Sequence, residues 1–300
     1  MGVWQGVYSA ITTKLDEAEN VDLAAVKADV EFQIAGGVHG IVCCGSLGEA
    51  ATLSFDEKLA IAATCVRAVG RQAPVVLGIA SLSTAEAVKL ARGAEEAGCA
   101  GLMVLPPYVY STDWREMKAH VSAIIGATNL SCMLYNNPPA YKTDFLPEQI
   151  VELAAEHPNL HAVKESSGDA RRVTAIRALL HDRLTILVGM DDAIVEGVAA
   201  GAEGWIAGLV NAFPEESVAL FEAAMRGDKA RARDIYNWFL PLLRLDTVPK
   251  FVQFIKWVQA EVGRGTYVVR GPRLPLDARE LETVTGILAH AMKSRPPVRR

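Results

Sequence analysis

Lys164 ends a short apolar segment, Leu-His-Ala-Val-Lys, which is followed by Glu165 and then by the turn-forming residues Ser-Ser-Gly. A lysine at the end of a buried strand carries its charge into apolar surroundings, where burial disfavours the ammonium form of an amine. A neutral amine is a nucleophile that can attack a carbonyl carbon and form a Schiff base. The residue types around Lys164 therefore predict covalent catalysis, provided that other strands supply suitable partners.

Two further segments contain the partners that such chemistry needs. Tyr135 lies in the apolar segment Ser-Cys-Met-Leu-Tyr-Asn and can move protons while a Schiff base forms and at the reacting carbon. The turn Gly45-Ser46-Leu47-Gly48 offers successive backbone N–H groups and a hydroxyl, and such a turn suits a carboxylate. An amine, a phenol and a carboxylate-binding turn together indicate a 2-oxo acid as the substrate.

The elements that must position these residues form a repeating pattern. A short apolar or β-branched segment, followed by a turn and an amphipathic helix, occurs eight times along the chain. Near-continuous apolar strands that alternate with helices predict a parallel sheet covered on its outer face. Eight such units predict a closed TIM (β/α)8 barrel with its active site at the carboxyl ends of the strands. We expect a catalytic barrel over residues 1–226 and a small C-terminal helical subdomain over residues 227–300.

The composition argues against several classes of partner. Apolar residues make up 51% of the 300 residues, and the net charge is −5 with both signs interspersed. No basic stripe suits a phosphate backbone, and no apolar segment approaches the roughly 20 residues that span a bilayer. The amino terminus lacks the pattern of a signal peptide. Five cysteines without CxxC spacing indicate buried thiols in a reducing compartment, so we expect a cytoplasmic protein that binds neither nucleic acid nor membrane.

Four motifs, taken in order and spacing, resemble those of one enzyme family. They are GSLGE after the second strand, YNNP after the fifth, VKES after the sixth and GMDD after the seventh. Over the whole chain they are similar to the dihydrodipicolinate synthase/N-acetylneuraminate lyase family. This resemblance implies a TIM barrel, a class I lysine Schiff base and a 2-oxo acid such as pyruvate as the ligand. It also implies no metal or organic cofactor and a homotetrameric assembly.

The resemblance assigns a role to each motif. Lys164 is implied to be the Schiff-base lysine, and Tyr135 is implied to be the proton-transfer tyrosine. The implied substrate-binding positions are the turn after strand 2, two backbone carbonyls at strand ends and the tyrosines after strand 4: Ser46, Leu47, Gly48, Gly189, Ile206, Tyr108 and Tyr110.

Three positions depart from the pattern of dihydrodipicolinate synthases. Leu47 stands where those enzymes carry a second threonine, and Val109 interrupts their tyrosine pair. Ala140 lies where their arginine would recognise the carboxylate of an aldehyde substrate, and Lys142 is the nearest cation along the chain. Leucine cannot relay a proton and alanine cannot bind a carboxylate. We therefore disfavour the 4-hydroxy-tetrahydrodipicolinate synthase activity, which stays an alternative.

Other segments indicate a catabolic subtype of the family. The stretches WQGVYSAITT, YNNPPAYK and GWIAGLVNAFPEE look most like deaminases of 1-pyrroline-4-hydroxy-2-carboxylate, which release ammonia and 2,5-dioxopentanoate. An aldolase or dehydratase of 2-keto-3-deoxy sugar acids or of 4-hydroxy-2-oxoglutarate remains an alternative. So does a catalytically silent binding module, because a fold does not fix a function. Reactivity of Lys164 towards 2-oxo acids distinguishes the enzymes from the binding module.

The remaining polar residues of these motifs receive structural interpretations. Glu49 is expected to cap or orient the helix that follows it, and Asp191 and Asp192 are expected to cap a helix rather than bind a metal. His161 is expected to lie on the opposite face of its strand from Lys164. The GSLG turn lacks the spacing of a dinucleotide-binding motif, so no such cofactor is expected.

Overall fold

The computed structural model describes residues 3–107 and 113–298. Its sheet contains eight parallel strands in chain order, and β1 pairs with β8 to close a barrel. This closure confirms the predicted TIM barrel, because an open doubly wound sheet would leave two unpaired edges. The strands are β1 (Gly6–Ala10), β2 (Gly40–Cys43), β3 (Val75–Ile79), β4 (Gly101–Val104), β5 (Ser131–Asn136), β6 (Leu160–Glu165), β7 (Thr185–Val188) and β8 (Gly204–Ala207).

Helices follow every strand and cover the outside of the barrel, and further helices follow the last unit. In the described part of the chain they are α1 (Leu23–Ala35), α2 (Phe55–Val69), α3 (Thr84–Glu96), α4 (Trp114–Ile125), α5 (Pro138–Tyr141), α6 (Pro147–Glu156), α7 (Arg171–Leu180), α8 (Ile194–Ala199), α9 (Pro214–Met225), α10 (Lys229–Leu243), α11 (Phe251–Glu261) and α12 (Ala278–Lys293). None of them has the length and apolar character that crossing a bilayer requires.

The strands are buried on both faces, as expected for a parallel sheet inside a layer of helices. Every residue of β2, β3, β4 and β8 is buried. His161 on β6 is the exception in its strand, because it is exposed and its Nδ1 lies 2.7 Å from Ser131 Oγ. Its side chain therefore points away from the barrel interior, which confirms the predicted orientation relative to Lys164.

A buried ion pair joins the exit of β1 to helix α1. Lys14 Nζ lies 3.1 Å from Asp29 Oδ2, and the two side chains are 5% and 2% exposed. Gln259 of α11 donates a hydrogen bond to Asp29 Oδ1 at 3.0 Å. Burial lowers the pKa of Lys14 and raises the pKa of Asp29, and each charge opposes the shift of its partner. The pair therefore ties a C-terminal helix to the barrel through a contact that is shielded from water.

The Asp29→Ala substitution is expected to lower the free energy of unfolding by roughly 3 kcal/mol, because it leaves the Lys14 amine buried without its counter-ion. Urea unfolding followed by circular dichroism measures the change. As a matched control, Lys27→Ala removes one partner of the exposed Lys27–Glu31 pair on the same helix. The free energy of unfolding of this control is expected to fall by less than about 1 kcal/mol. Similar falls in the two variants would contradict the stabilising role of the buried Lys14–Asp29 pair.

Candidate active site

A cavity of about 530 Å³ opens at the carboxyl ends of the strands. Its lining includes residues at or after the ends of β2, β5, β6, β7 and β8, together with residues that follow helix α10. Barrel enzymes carry out their chemistry at this end of the sheet. The cavity therefore brings together candidate residues that lie far apart in the sequence.

Lys164 and Tyr135 are direct partners on the neighbouring strands β6 and β5. Both side chains line the cavity, and they are only 7% and 4% exposed. Lys164 Nζ lies 4.1 Å from the centroid of the Tyr135 ring. The strand register thus places the Lys164 amine over the ring of Tyr135, inside the same cavity.

A row of hydroxyl-bearing side chains connects Tyr135 to the turn after β2. The Tyr135 hydroxyl accepts a hydrogen bond from Asn137 Nδ2 at 2.9 Å. The ring of Tyr141, in helix α5, meets the Tyr135 ring edge to face with centroids 5.7 Å apart. The Tyr141 hydroxyl is hydrogen-bonded to Ser46 Oγ. Tyr141 was not among the tyrosines predicted in the site, because its position depends on the short helix α5.

The turn after β2 presents backbone donors to the cavity. Ser46, Leu47 and Gly48 all line it, and their N–H groups donate no hydrogen bond within the described residues. Cys44 and Glu49 bracket the turn with φ angles of 54° and 57°, a left-handed conformation that costs about 1–2 kcal/mol for each non-glycine residue. Three unused N–H groups next to a hydroxyl form an arrangement that is able to bind a carboxylate.

Glu49 anchors this turn to the C-terminal part of the chain. Lys256 Nζ lies 2.5 Å from Glu49 Oε1, and the backbone N–H of Arg270 donates to Glu49 Oε2 at 2.9 Å. Glu49 makes no capping side-chain hydrogen bond to the 3-10 helix after it, so capping is wrong, whereas these contacts agree with the alternative expectation that Glu49 orients this segment. Burial lowers the pKa of Lys256 to about 8, although the Glu49 carboxylate opposes this shift. The acidic residue of the motif thus fixes the position of the turn.

Gly189 and Ile206 also line the cavity, at the positions that the resemblance implies. A Cβ atom built on Gly189 would overlap Ser166 Oγ and lie 2.5 Å from Lys164 Cε. Ser166 is fully buried, and its hydroxyl has no partner within the described part of the chain. Buried polar groups normally have such a partner, so this hydroxyl is an exception. Ser166 was not predicted near the site, although strand alternation places it on the same face as Lys164.

Asp191 supports the end of β8 instead of capping a helix. Its carboxylate accepts hydrogen bonds from the Trp205 indole at 3.0 Å and from the backbone N–H groups of Gly208 and Leu209 at 3.0 and 2.8 Å. Neither Asp191 nor Asp192 caps a helix with its side chain, so the capping interpretation is wrong for both. Burial raises the pKa of Asp191 to about 6, although its hydrogen bonds act in the opposite direction.

The chain after helix α10 adds two polar groups that were not predicted in the site, one before and one after helix α11. Asp246 and Arg273 both line the cavity. Arg273 Nη1 lies 3.5 Å from Glu49 Oε2. Burial and the Asp191 carboxylate raise the pKa of Asp246, and the positive charge of Lys164 partly offsets this rise. No short-range sequence signal marks these residues, because they reach the cavity only through the packing of the C-terminal helices.

The positions that depart from the synthase pattern have different locations. Leu47 and Ala140 line the cavity, whereas Lys142 is exposed and donates to the Pro139 carbonyl at 2.8 Å. Lys142 therefore does not replace the missing arginine. Within the described ranges, no group of three or more His, Cys, Asp or Glu side chains could hold a metal ion. Three residues of interest lie outside the described residues: Tyr108, Val109 and Tyr110.

A closed barrel with a lysine and a tyrosine paired at its strand ends defines a lyase of the class I aldolase type. The family comparison agrees with this class, because the Dihydrodipicolinate synthetase family model matches residues 3–291. The chain belongs to this family.

Individual relatives are similar over nearly their whole length. The 4-hydroxy-tetrahydrodipicolinate synthase of Geobacter metallireducens is 32% identical over 286 residues, which cover 95% of this chain and 98% of the relative. The Sorangium cellulosum enzyme of the same name is 35% identical over 271 residues, 90% of each chain. Among solved structures, the Methylacidiphilum fumariolicum synthase has a TM-score of 0.93 at 28% identity, covering 97% of this chain and 96% of that one. The Acinetobacter baumannii enzyme, solved in complex with pyruvate, has a TM-score of 0.92 at 27% identity. The match covers 97% of this chain and 99% of that one.

The Gly189→Ala substitution is expected to slow Schiff-base formation by about 10²-fold, because the new methyl group displaces the Lys164 side chain. The measurement is the rate at which borohydride traps a pyruvate adduct, followed by intact mass. Gly286→Ala in helix α12 is the matched control, since a Cβ atom there has nothing within 4 Å. A trapping rate close to that of the unaltered protein in the Gly189 variant would refute this view of the site.

Proposed function

We propose that this protein is a Schiff-base-forming lyase that deaminates 1-pyrroline-4-hydroxy-2-carboxylate to 2,5-dioxopentanoate and ammonia. The observation that carries the reaction class is the pairing of Lys164 with Tyr135 beside the unused N–H groups of the β2 turn. The choice of substrate rests on the apolar wall of the cavity and on the sequence resemblance to the catabolic subtype.

In the proposed reaction, the substrate carboxylate binds Ser46 and the N–H groups of the turn after β2. This places the adjacent imine carbon, C2, within reach of Lys164. The amine attacks C2, and expulsion of the ring nitrogen leaves an open-chain Schiff base on the lysine. The protonated Schiff base then withdraws electrons from the neighbouring carbon, C3.

Tyr135 is the proposed proton carrier for these steps. Its hydroxyl receives a hydrogen bond from Asn137, so its own proton is available to the substrate. Removal of a C3 proton gives an enamine, from which the 4-hydroxyl is lost as water. Proton shifts from C5 and its nitrogen to C3 and C4 then convert the unsaturated amine into a C5 imine. Hydrolysis of this imine and of the lysine Schiff base releases ammonia from C5 and 2,5-dioxopentanoate from Lys164. Two waters enter and one leaves, so the net reaction consumes one water.

The wall of the cavity supports a compact substrate. Its lining is largely apolar and includes Leu47, Met103, Leu105 and Phe251. Ala140 lies in this wall, at the position where the synthases are implied to carry an arginine. A long polyol would leave several hydroxyl groups without partners against such a surface, which is costly. A small cyclic acid leaves few polar atoms to satisfy.

A second candidate is 4-hydroxy-tetrahydrodipicolinate synthase, the name carried by the relatives from Geobacter and Sorangium. Arg273 favours this candidate, because it supplies a cation in the cavity lining that could bind the carboxylate of a second substrate. Its contact with Glu49 at 3.5 Å already engages part of that charge. Leu47 and Ala140 favour the deaminase.

The setting proposed for this activity is a homotetramer in the cytoplasm, with small carboxylates as its ligands. The tetramer is inferred from the family resemblance. The reducing compartment is supported by the five cysteines, which are all buried and free of disulfides. Size-exclusion chromatography with light scattering tests the assembly, since a monomer and a tetramer differ fourfold in mass.

Incubation with pyruvate and borohydride is expected to add one reduced adduct, located on Lys164 by peptide mass spectrometry. Lys164→Arg keeps the positive charge but is expected to give no adduct, because the guanidinium is not a nucleophile at neutral pH. Absence of an adduct with pyruvate, 2-keto-3-deoxy acids and the hydroxypyrroline carboxylate would refute the lyase and favour a binding module.

Ammonia release distinguishes the candidate substrates. The enzyme is expected to release one ammonia for each 1-pyrroline-4-hydroxy-2-carboxylate consumed, and Tyr135→Phe is expected to lower kcat by about 10²-fold or more. A coupled glutamate dehydrogenase assay measures the ammonia. Condensation of pyruvate with aspartate semialdehyde, without ammonia release from the pyrroline, would instead establish the synthase.

A further inference from the structure

Asp246 enters the cavity from outside the barrel. It belongs to the 3-10 segment Arg244–Thr247, which follows α10, and it lines the same cavity as Lys164. A Cβ atom built on Gly208 would overlap its Oδ1 atom, so the carboxyl group lies directly against the backbone at the end of β8. Asp246 is also partly accessible to solvent, unlike the fully buried Asp191. A substrate in the cavity can therefore reach Asp246.

The two carboxyl groups near Lys164 have contrasting environments. Asp191 receives hydrogen bonds from Trp205, Gly208 and Leu209, which stabilise its ionised form. Burial and neighbouring charges raise the pKa of Asp246 well above its ordinary value. No hydrogen bond contributes to this shift. Burial raises the pKa of both carboxyl groups, but Asp246 is the one that lines the cavity and that accepts no hydrogen bond within the described residues. Its carboxyl group is therefore the one that can offer a proton to a bound substrate.

We propose that Asp246 is the catalytic acid that protonates the departing 4-hydroxyl group of the substrate. This assignment rests on the proposed lyase function and deepens it. Asp191 cannot take this role, because its carboxylate is buried and already engaged by N–H donors at the end of β8. Tyr135 lies beside Lys164 and serves the carbons next to the Schiff base.

The elimination step balances with these groups alone. The enamine electron pair forms the double bond between C3 and C4, and the lysine nitrogen becomes a protonated Schiff base again. The bond between C4 and oxygen breaks, and the oxygen keeps its electron pair. The carboxyl proton of Asp246 joins that oxygen, so water leaves and a carboxylate remains. The proton removed earlier from C3 restores the Asp246 carboxyl group, because hydrolysis of the C5 imine leaves both hydrogens of the water on the ammonia.

The experiment compares the full-length protein with its Asp246→Asn variant in two borohydride assays. Pyruvate has no leaving group, so the substitution is expected to leave the trapping of pyruvate on Lys164 within about twofold of the unaltered protein. With 1-pyrroline-4-hydroxy-2-carboxylate, kcat is expected to fall by about 10²-fold. The trapped adduct of the variant is expected to be heavier by one water, because it retains the 4-hydroxyl.

Two further variants separate chemistry from structure. Asp192→Asn is the matched control, because this neighbouring acid pairs with Arg244 and does not line the cavity. It is expected to keep kcat within about threefold. Asp246→Glu is expected to recover part of the lost activity, since it restores a carboxyl group. Should the asparagine variant not fold, Asp246→Ser takes its place with the same expectations.

The outcomes separate this assignment from the function on which it rests. An unaltered protein that traps no 2-oxo acid refutes the lyase itself. An unaltered protein that traps pyruvate but does not dehydrate the pyrroline refutes both the substrate and the role of Asp246. Normal turnover in the asparagine variant, loss of pyruvate trapping in it, or an equal loss in the Asp192 control refutes the role of Asp246 alone.

Discussion

The pairing of β1 with β8 is the constraint on which the rest of the structure depends. Because the sheet closes, all eight strands deliver their carboxyl ends to one rim, and residues from distant parts of the chain meet there. Closure also means that every strand pairs with a neighbour on both sides, and these two ladders together fix its register. Tyr135 is opposite Lys164 as a consequence of the hydrogen-bond ladder between β5 and β6, before any side-chain contact between them is considered.

The turn after β2 needs support from outside the barrel. Its two flanking residues, Cys44 and Glu49, adopt left-handed conformations that the turn by itself would not favour. Glu49 is held by the buried amine of Lys256 and by the backbone of Arg270, both in the C-terminal part of the chain. The helices after the barrel therefore do more than cover a surface, because they stabilise the conformation in which the turn exposes its N–H groups.

The chemistry of the cavity follows from an uneven distribution of polarity. Most of its wall is apolar. Among its few polar groups, the Ser46 hydroxyl is hydrogen-bonded to Tyr141, and Asp246 lines the same cavity as Lys164. Electrostatic interactions are stronger in such surroundings than in water. A small number of polar groups in this wall can therefore act strongly on a molecule bound in the cavity.

The sequence by itself determined the fold class, the strand segments and the two candidate residues at neighbouring strand ends, because buried parallel strands are continuous apolar runs and Lys164 and Tyr135 interrupt two of them. It could not determine which distant residues complete the site. Tyr141 depends on a four-residue helix, and Asp246 depends on how α10 and α11 meet the barrel. Local patterns also suggested helix caps at Glu49 and Asp191, whereas Glu49 pairs with Lys256 far along the chain and Asp191 binds Trp205 on the next strand. Short-range periodicity in the sequence predicts which face of a helix or strand is buried. Contacts between residues that are distant in the sequence form only when the closed barrel brings their elements together.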